Sequence, residues 1–152
     1  MKLSEHVDAL RHQIEIAFDK QFARIGIGAK KTIELEKLPT ELHPKRQRLE
    51  EMLTNHIGET GDYESAREKL LDELTFTLFN RIAAVKVMES ASLFPPIIIK
   101  QPEHGDRSFG HKAWLEDRND MRGEELEGIR EYIKYAFNDI GKTLPLYQKD
   151  FP

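Results

Sequence analysis

The sequence predicts a mainly α-helical protein: a helical bundle of about four helices around a buried central helix (about residues 62–92), with at most one or two short strands. Three observations predict it. Apolar residues recur at spacings of three and four along most of the chain. Prolines and glycines gather mainly between those runs. The 33% charged and 39% hydrophobic residues are the mix expected of helices with one packed and one solvated face.

Leu3, Val7, Leu10, Ile14, Phe18, Phe22 and Ile25 define a first helix over about residues 3–25, stopped by the "GIG" at Gly26 to Gly28. A connection follows to Pro44, in which "TIELE" (Thr32 to Glu36) alternates like a short strand with no obvious partner. Leu49, Met52, Leu53 and Ile57 give a second helix, about 45–57, a narrow apolar stripe. The turn "GETGD" separates it from the third, for which Asp62 is the candidate N-cap and Ser65 the alternative. "FPP" at Phe94 to Pro96 ends that helix, because proline has no amide hydrogen and clashes with the preceding turn. "IIIK" (Ile97 to Lys100) reads as one short buried strand or an extended strap over the core.

Residues 101–122 read as a polar surface loop with one turn of helix at "KAWLED". A last helix, about 123–144, carries Leu126, Ile129, Ile133, Ala136, Phe137 and Ile140 on its apolar face. The closing "LPLYQKDFP" holds apolar residues expected to pack rather than float. The whole reads as a single helical domain, residues 1–152.

The central helix is apolar almost all round, the pattern of a helix covered by its neighbours. At about 100° per residue, Leu71, Leu74, Leu78, Ile82 and Val85 share one face, and Phe76, Phe79, Ala83 and Val87 the other. Glu73, Thr77 and Asn80 form a thin polar strip between them, with small Ala84 in line, and Arg81 flanks the apolar face. A buried amide or guanidinium needs partners, since an unpaired one costs about 1–3 kcal/mol or more. Asn80 and Arg81 therefore read as a structural polar core that fixes helix packing; the other reading is that Arg81 emerges at a groove. Glu73 and Glu89 are the nearest carboxylates by sequence.

Several chemistries are excluded. With no cysteine there is no disulfide, thiolate metal site or cysteine nucleophile, which suits a reducing cytosol. The chain opens on an amphipathic helix rather than an apolar leader, and no run reaches the roughly 18 apolar residues of a membrane helix, so it reads as cytoplasmic with no membrane partner. A net charge of −4, from 23 basic and 27 acidic residues, gives no overall basic footprint. There is no phosphate-binding glycine loop, dinucleotide fingerprint, zinc-helix motif or nucleophile elbow. No Asp or Glu is followed by Lys two positions later, which removes the usual nuclease core. His104, Asp106 and His111 form the one histidine–carboxylate grouping, either a solvated loop or a metal or catalytic site. Glu50/Glu51 and Glu124/Glu125 read as solvating charges. Lys30/Lys31 and Lys45/Arg46/Arg48 are the candidate phosphate contacts, against the alternative of ordinary solvated faces. Trp114 packs on the core or stacks on a base.

The segment 74–90, "LTFTLFNRIAAVKVMES", resembles a stretch in the N-terminal helical region of large adenine-specific DNA methyltransferases, those of type II (IIG-like) restriction–modification systems and of BREX-type phage defence. The matching residues are Phe79, Asn80, Arg81, Ile82, Ala84, Lys86, Met88 and Glu89, with a looser fit over about 62–152. That family carries its cofactor-binding glycine motif and its Asn-Pro-Pro-Tyr-type motif beyond this region, and the chain contains neither. "FPP" lacks the amide that would hold the target adenine. The resemblance therefore implies a non-catalytic N-terminal fragment of a larger protein, with no catalytic, cofactor-binding or metal residues of its own. S-adenosylmethionine would belong to the parent, an adenine-N6 methyltransferase that could also restrict DNA.

The expected function is to position DNA, or to dock the catalytic domain or another defence-system subunit. The alternative is a free-standing helical protein–protein adaptor. An enzyme built around His104, Asp106 and His111 is the third reading.

Overall fold

The computed structural model describes residues 2–144; the expected packing of "PLYQKDFP" lies outside them. The chain is mainly helical with one two-stranded ribbon, in the order α1 (Leu3–Arg24), α2 (His43–Thr60), α3 (Tyr63–Ser90), β1 (Lys100–Gln101), β2 (Arg107–Ser108), α4 (Phe109–Asp117) and α5 (Ile129–Gly141). It divides into two compact units, the first reaching Phe79 and the second starting at Asn80, so that α3 contributes to both. Among the described residues no helix is long and apolar enough to cross a membrane.

The first unit buries Phe22, Ile25, Ile27, Leu49, Leu53, Ala66, Leu70, Leu71 and Leu74. Its centre is the bend after α1. Gly26 takes φ +82°, where a Cβ would meet the Arg46 guanidinium at 2.6 Å, so only glycine fits. "TIELE" is not a strand: Thr32 makes one isolated antiparallel bridge to Ile27, and the chain then enters a 3-10 turn at Leu35–Lys37. α2 starts two residues earlier than the apolar stripe suggests, because Pro44 suits a first turn, and ends at Gly61 with φ +85°. Asp62 acts as expected, its Oδ1 accepting the Ser65 amide at 2.8 Å.

In the second unit, Trp114, Leu115, Tyr132 and Ala136 form a core on which Ile97, Met121, Ile129 and Ile133 pack. The segment expected to be a loop is more ordered than its composition suggests. β1 pairs antiparallel with β2, Lys100 opposite Ser108 and Gln101 opposite Arg107. α4 is a fifth helix of nine residues, its N-terminus capped by the Ser108 hydroxyl accepting the His111 amide at 3.0 Å. α5, in contrast, starts later than expected. Leu126, Glu127 and Gly128 take left-handed angles (φ +49°, +54° and +66°), which breaks the helix that periodicity carries back to residue 123. The reason is lateral pairing. The Glu127 carboxylate grips the Arg107 guanidinium at 2.5 and 2.6 Å, and its carbonyl accepts His111 Nε2–H at 2.9 Å. Leu126, expected on the apolar face, is 74% exposed as a result.

The second face of α3 is also less covered than a helix apolar all round implies. Phe76 and Val87 are exposed, while Phe79 and Ala83 are half-buried.

Gly110 shows how tightly α4 meets α5. A Cβ there would sit 2.2 Å from the Tyr132 hydroxyl. Gly110→Ala is therefore expected to destabilise the second unit by about 1–3 kcal/mol through overpacking. Adding Tyr132→Phe should recover part of that loss, because the two positions touch. Urea titration of the two single variants and the double variant measures the coupling, and strict additivity would refute the contact.

Candidate docking groove

The second unit carries a groove of about 510 Å³. Its floor comes from α5, where Tyr132, Tyr135, Ala136, Asp139 and Ile140 recur at helical spacing on one side. Phe109 and Gly110 supply the start of α4, and Phe94, Pro95 and Ile97 the strap that follows α3. Lys142, Thr143 and Leu144 close one end. Phe109 and Tyr135 stand at the lip, 45% and 56% exposed.

One buried carboxylate shapes the strap. Glu89, 6% exposed on the last turn of α3, accepts the backbone amides of Ile97, Ile98 and Ile99. A carboxylate facing three successive amides sets the direction of an extended segment that has no strand partner of its own. This answers the alternatives for "IIIK": it is a strap, held from below, that becomes a strand at Lys100.

Several polar groups around the groove pair with one another. The Tyr132 hydroxyl donates to the Ile97 carbonyl at 3.0 Å, the Gly110 amide donates to the Pro96 carbonyl at 2.9 Å, and Lys142 pairs with Asp139 at 3.1 Å. Tyr132 is also stacked on His111, ring centroids 5.0 Å apart. Burial pushes the Tyr132 phenol up to about 12, opposed in part by its hydrogen bond with Ser108. The folded-state value lies above the ordinary 10.0, so this stability is fully present below about pH 10 and is lost as pH rises through about 12. Tyr132→Phe is expected to flatten the alkaline loss, as read from urea midpoints followed by Trp114 fluorescence. An unchanged slope would place the loss elsewhere.

The candidate basic residues differ in burial. Lys30 and Lys31 are exposed on a tight turn closed by the Gly28 amide and Lys31 carbonyl at 3.0 Å. Arg48 is exposed and Lys45 half-buried. Arg46 is 2% exposed, with its guanidinium donating to the carbonyls of Ile25 and Gly26 at 3.2 and 3.3 Å and Glu50 lying 3.4 Å from Nε. It is a bolt for the bend after α1 and presents no charge to a phosphate. Two residues that sequence reasoning missed complete that bolt. Arg67 donates to the Ile27 carbonyl at 3.2 Å and pairs with Asp19 at 2.8 Å, and the Tyr63 hydroxyl donates to the Gly28 carbonyl at 2.7 Å.

Asn80 is half-buried and Arg81 4% exposed, and neither lines the groove. Glu73 engages His56 at 2.8 Å. Trp114 packs on the core with the Arg118 guanidinium 5.6 Å from its ring centre. His111 is buried against Tyr132, His104 meets the edge of Phe109, and Asp106 is exposed. Among the described residues no group of three His, Asp or Glu is placed to hold a metal ion.

Comparison of the chain with family models, curated proteins and solved structures returned no match in any of the three.

Proposed function

We propose that the chain is a non-catalytic docking domain whose aromatic groove receives an apolar segment of a partner polypeptide. The observation that carries this is the groove itself: concave and aromatic, with the Tyr132 hydroxyl paired within its wall, as recognition grooves for apolar anchors are. The segment 74–90 adds the partner's identity. Its likeness to adenine-specific methyltransferases makes the catalytic domain, or another subunit of a restriction–modification or BREX-like defence system, the polypeptide to dock, with S-adenosylmethionine bound there. The alternative partner is an unrelated protein, which would make the chain a free-standing adaptor.

Co-production with the methyltransferase polypeptide of the same locus tests the reading. Co-elution that is abolished by Phe109→Glu with Tyr135→Glu supports it, and co-elution indifferent to those changes, or none, overturns it.

The exposed turn bearing Lys30 and Lys31 favours a second reading, a DNA-positioning arm. Duplex DNA titrated at low and moderate salt separates the two. Binding whose salt slope falls in Lys30→Ala/Lys31→Ala/Arg48→Ala would establish the arm. An absence of binding at low salt would remove it.

A further inference from the structure

We infer that residues 124–128 are a latched helix start: the Arg107–Glu127 clamp holds them in a left-handed path, and its release lets them join α5 as one continuous helix. The inference concerns the second unit alone and does not need the docking reading.

The sequence of the segment codes for helix. Leu126 continues the apolar row of Ile129, Ile133, Phe137 and Ile140 at spacings of three and four. Leucine and glutamate are strong helix formers. Glu124, Glu125 and Glu127 would all lie in the first turn of a longer α5, where the helix dipole favours acidic side chains.

The structure holds the segment otherwise. Left-handed backbone is routine for glycine and rare for other residues, yet Leu126 and Glu127 adopt it in succession, with φ +49° and +54°. The arrangement leaves Leu126 74% exposed and starts α5 after Gly128 with no side-chain cap. Propensity, dipole, backbone strain and exposure all oppose the observed state. Strain of this kind persists only where surrounding contacts impose it, and such segments gather at switches.

The imposing contacts are few. Arg107 Nε and Nη2 donate to the Glu127 carboxylate at 2.5 and 2.6 Å, and His111 Nε2–H donates to the Glu127 carbonyl at 2.9 Å. The two side chains of the ion pair are 29% and 31% exposed, so water and competing ions reach the clamp. A conformation opposed by its own sequence and held through one accessible ion pair has the makings of a two-state element. Release would carry α5 back to Glu124 and lengthen it by about 7.5 Å.

Gly128 supplies the sharpest test. In the latched state it takes φ +66°, and a Cβ there would meet the Met121 side chain at 3.0 Å, whereas in a continuous helix alanine is the better residue. Gly128→Ala, Arg107→Ala and the double variant are compared with the wild type by NMR of the full chain, with Trp114 fluorescence reporting that the unit stays folded. In the double variant the amide–Hα couplings of Leu126 and Glu127 should move from left-handed to helical values. The amides of the first turn of α5 should exchange with solvent at least about tenfold more slowly. Each single variant should show an intermediate shift. Glu127→Gln, which removes the charge and keeps the carbonyl for His111, takes the place of Arg107→Ala if that variant unfolds. Left-handed couplings kept in every variant overturn the inference, since the backbone then needs no latch. Couplings averaged to coil with no gain in protection overturn it as well, since the released segment then has no second structure.

Discussion

Glu89→Ala is expected to destabilise the second unit by about 3 kcal/mol, because three strap amides lose their acceptor together and each buried orphan costs about 1–3 kcal/mol, softened where water can enter. Glu89→Gln keeps one acceptor oxygen and should cost about half as much. Trp114, the chain's one tryptophan, sits in the core of this unit, so its fluorescence in urea reports the unit directly. The strap also forms one wall of the groove, so partner binding should weaken in Glu89→Ala at temperatures where the unit is still folded. A loss under about 1 kcal/mol would mean that water replaces the carboxylate without penalty.

Arg46→Leu should cost the first unit a comparable amount, about 2–3 kcal/mol, by orphaning the Ile25 carbonyl inside the bend and leaving the Gly26 carbonyl with the Ile33 amide alone. Arg46→Lys should not rescue it, since one ammonium cannot span two carbonyls as a planar fork does. Circular dichroism in urea would read the loss, and wild-type stability in Arg46→Leu would refute the bolt. The same geometry governs DNA-binding tests. Any alanine series that includes Arg46 loses binding through unfolding, whereas the exposed Lys30 and Lys31 test charge.

The long elements were legible where the pattern is local. The three-and-four spacing, the "GIG" break, Asp62 and the paired prolines place α1, α2 and α3 within a few residues of their observed ends. Trp114 lies on the core as read. What escaped depends on partners distant in sequence. Arg46 reads like any helix-surface arginine beside Lys45 and Arg48, and nothing local says that carbonyls twenty residues earlier wait for it. Leu126 continues the apolar spacing of α5, and neither it nor Glu127 is a glycine that would announce left-handed backbone; the cause is Arg107, across the ribbon. The groove draws one wall from each of three segments, and Tyr135 at its lip lies off the apolar stripe that located α5.

The bolted bend also has a kinetic side. The Gly26 carbonyl finds a local partner in the Ile33 amide, but the Ile25, Ile27 and Gly28 carbonyls are met by Arg46, Arg67 and Tyr63, partners 21 to 40 residues further on. Helices form in about a microsecond or less, but these contacts require long loops to close first. The Ile25, Ile27 and Gly28 carbonyls therefore stay hydrated until α2 and the start of α3 arrive. The last event in ordering the first unit is the stripping of water from one short turn.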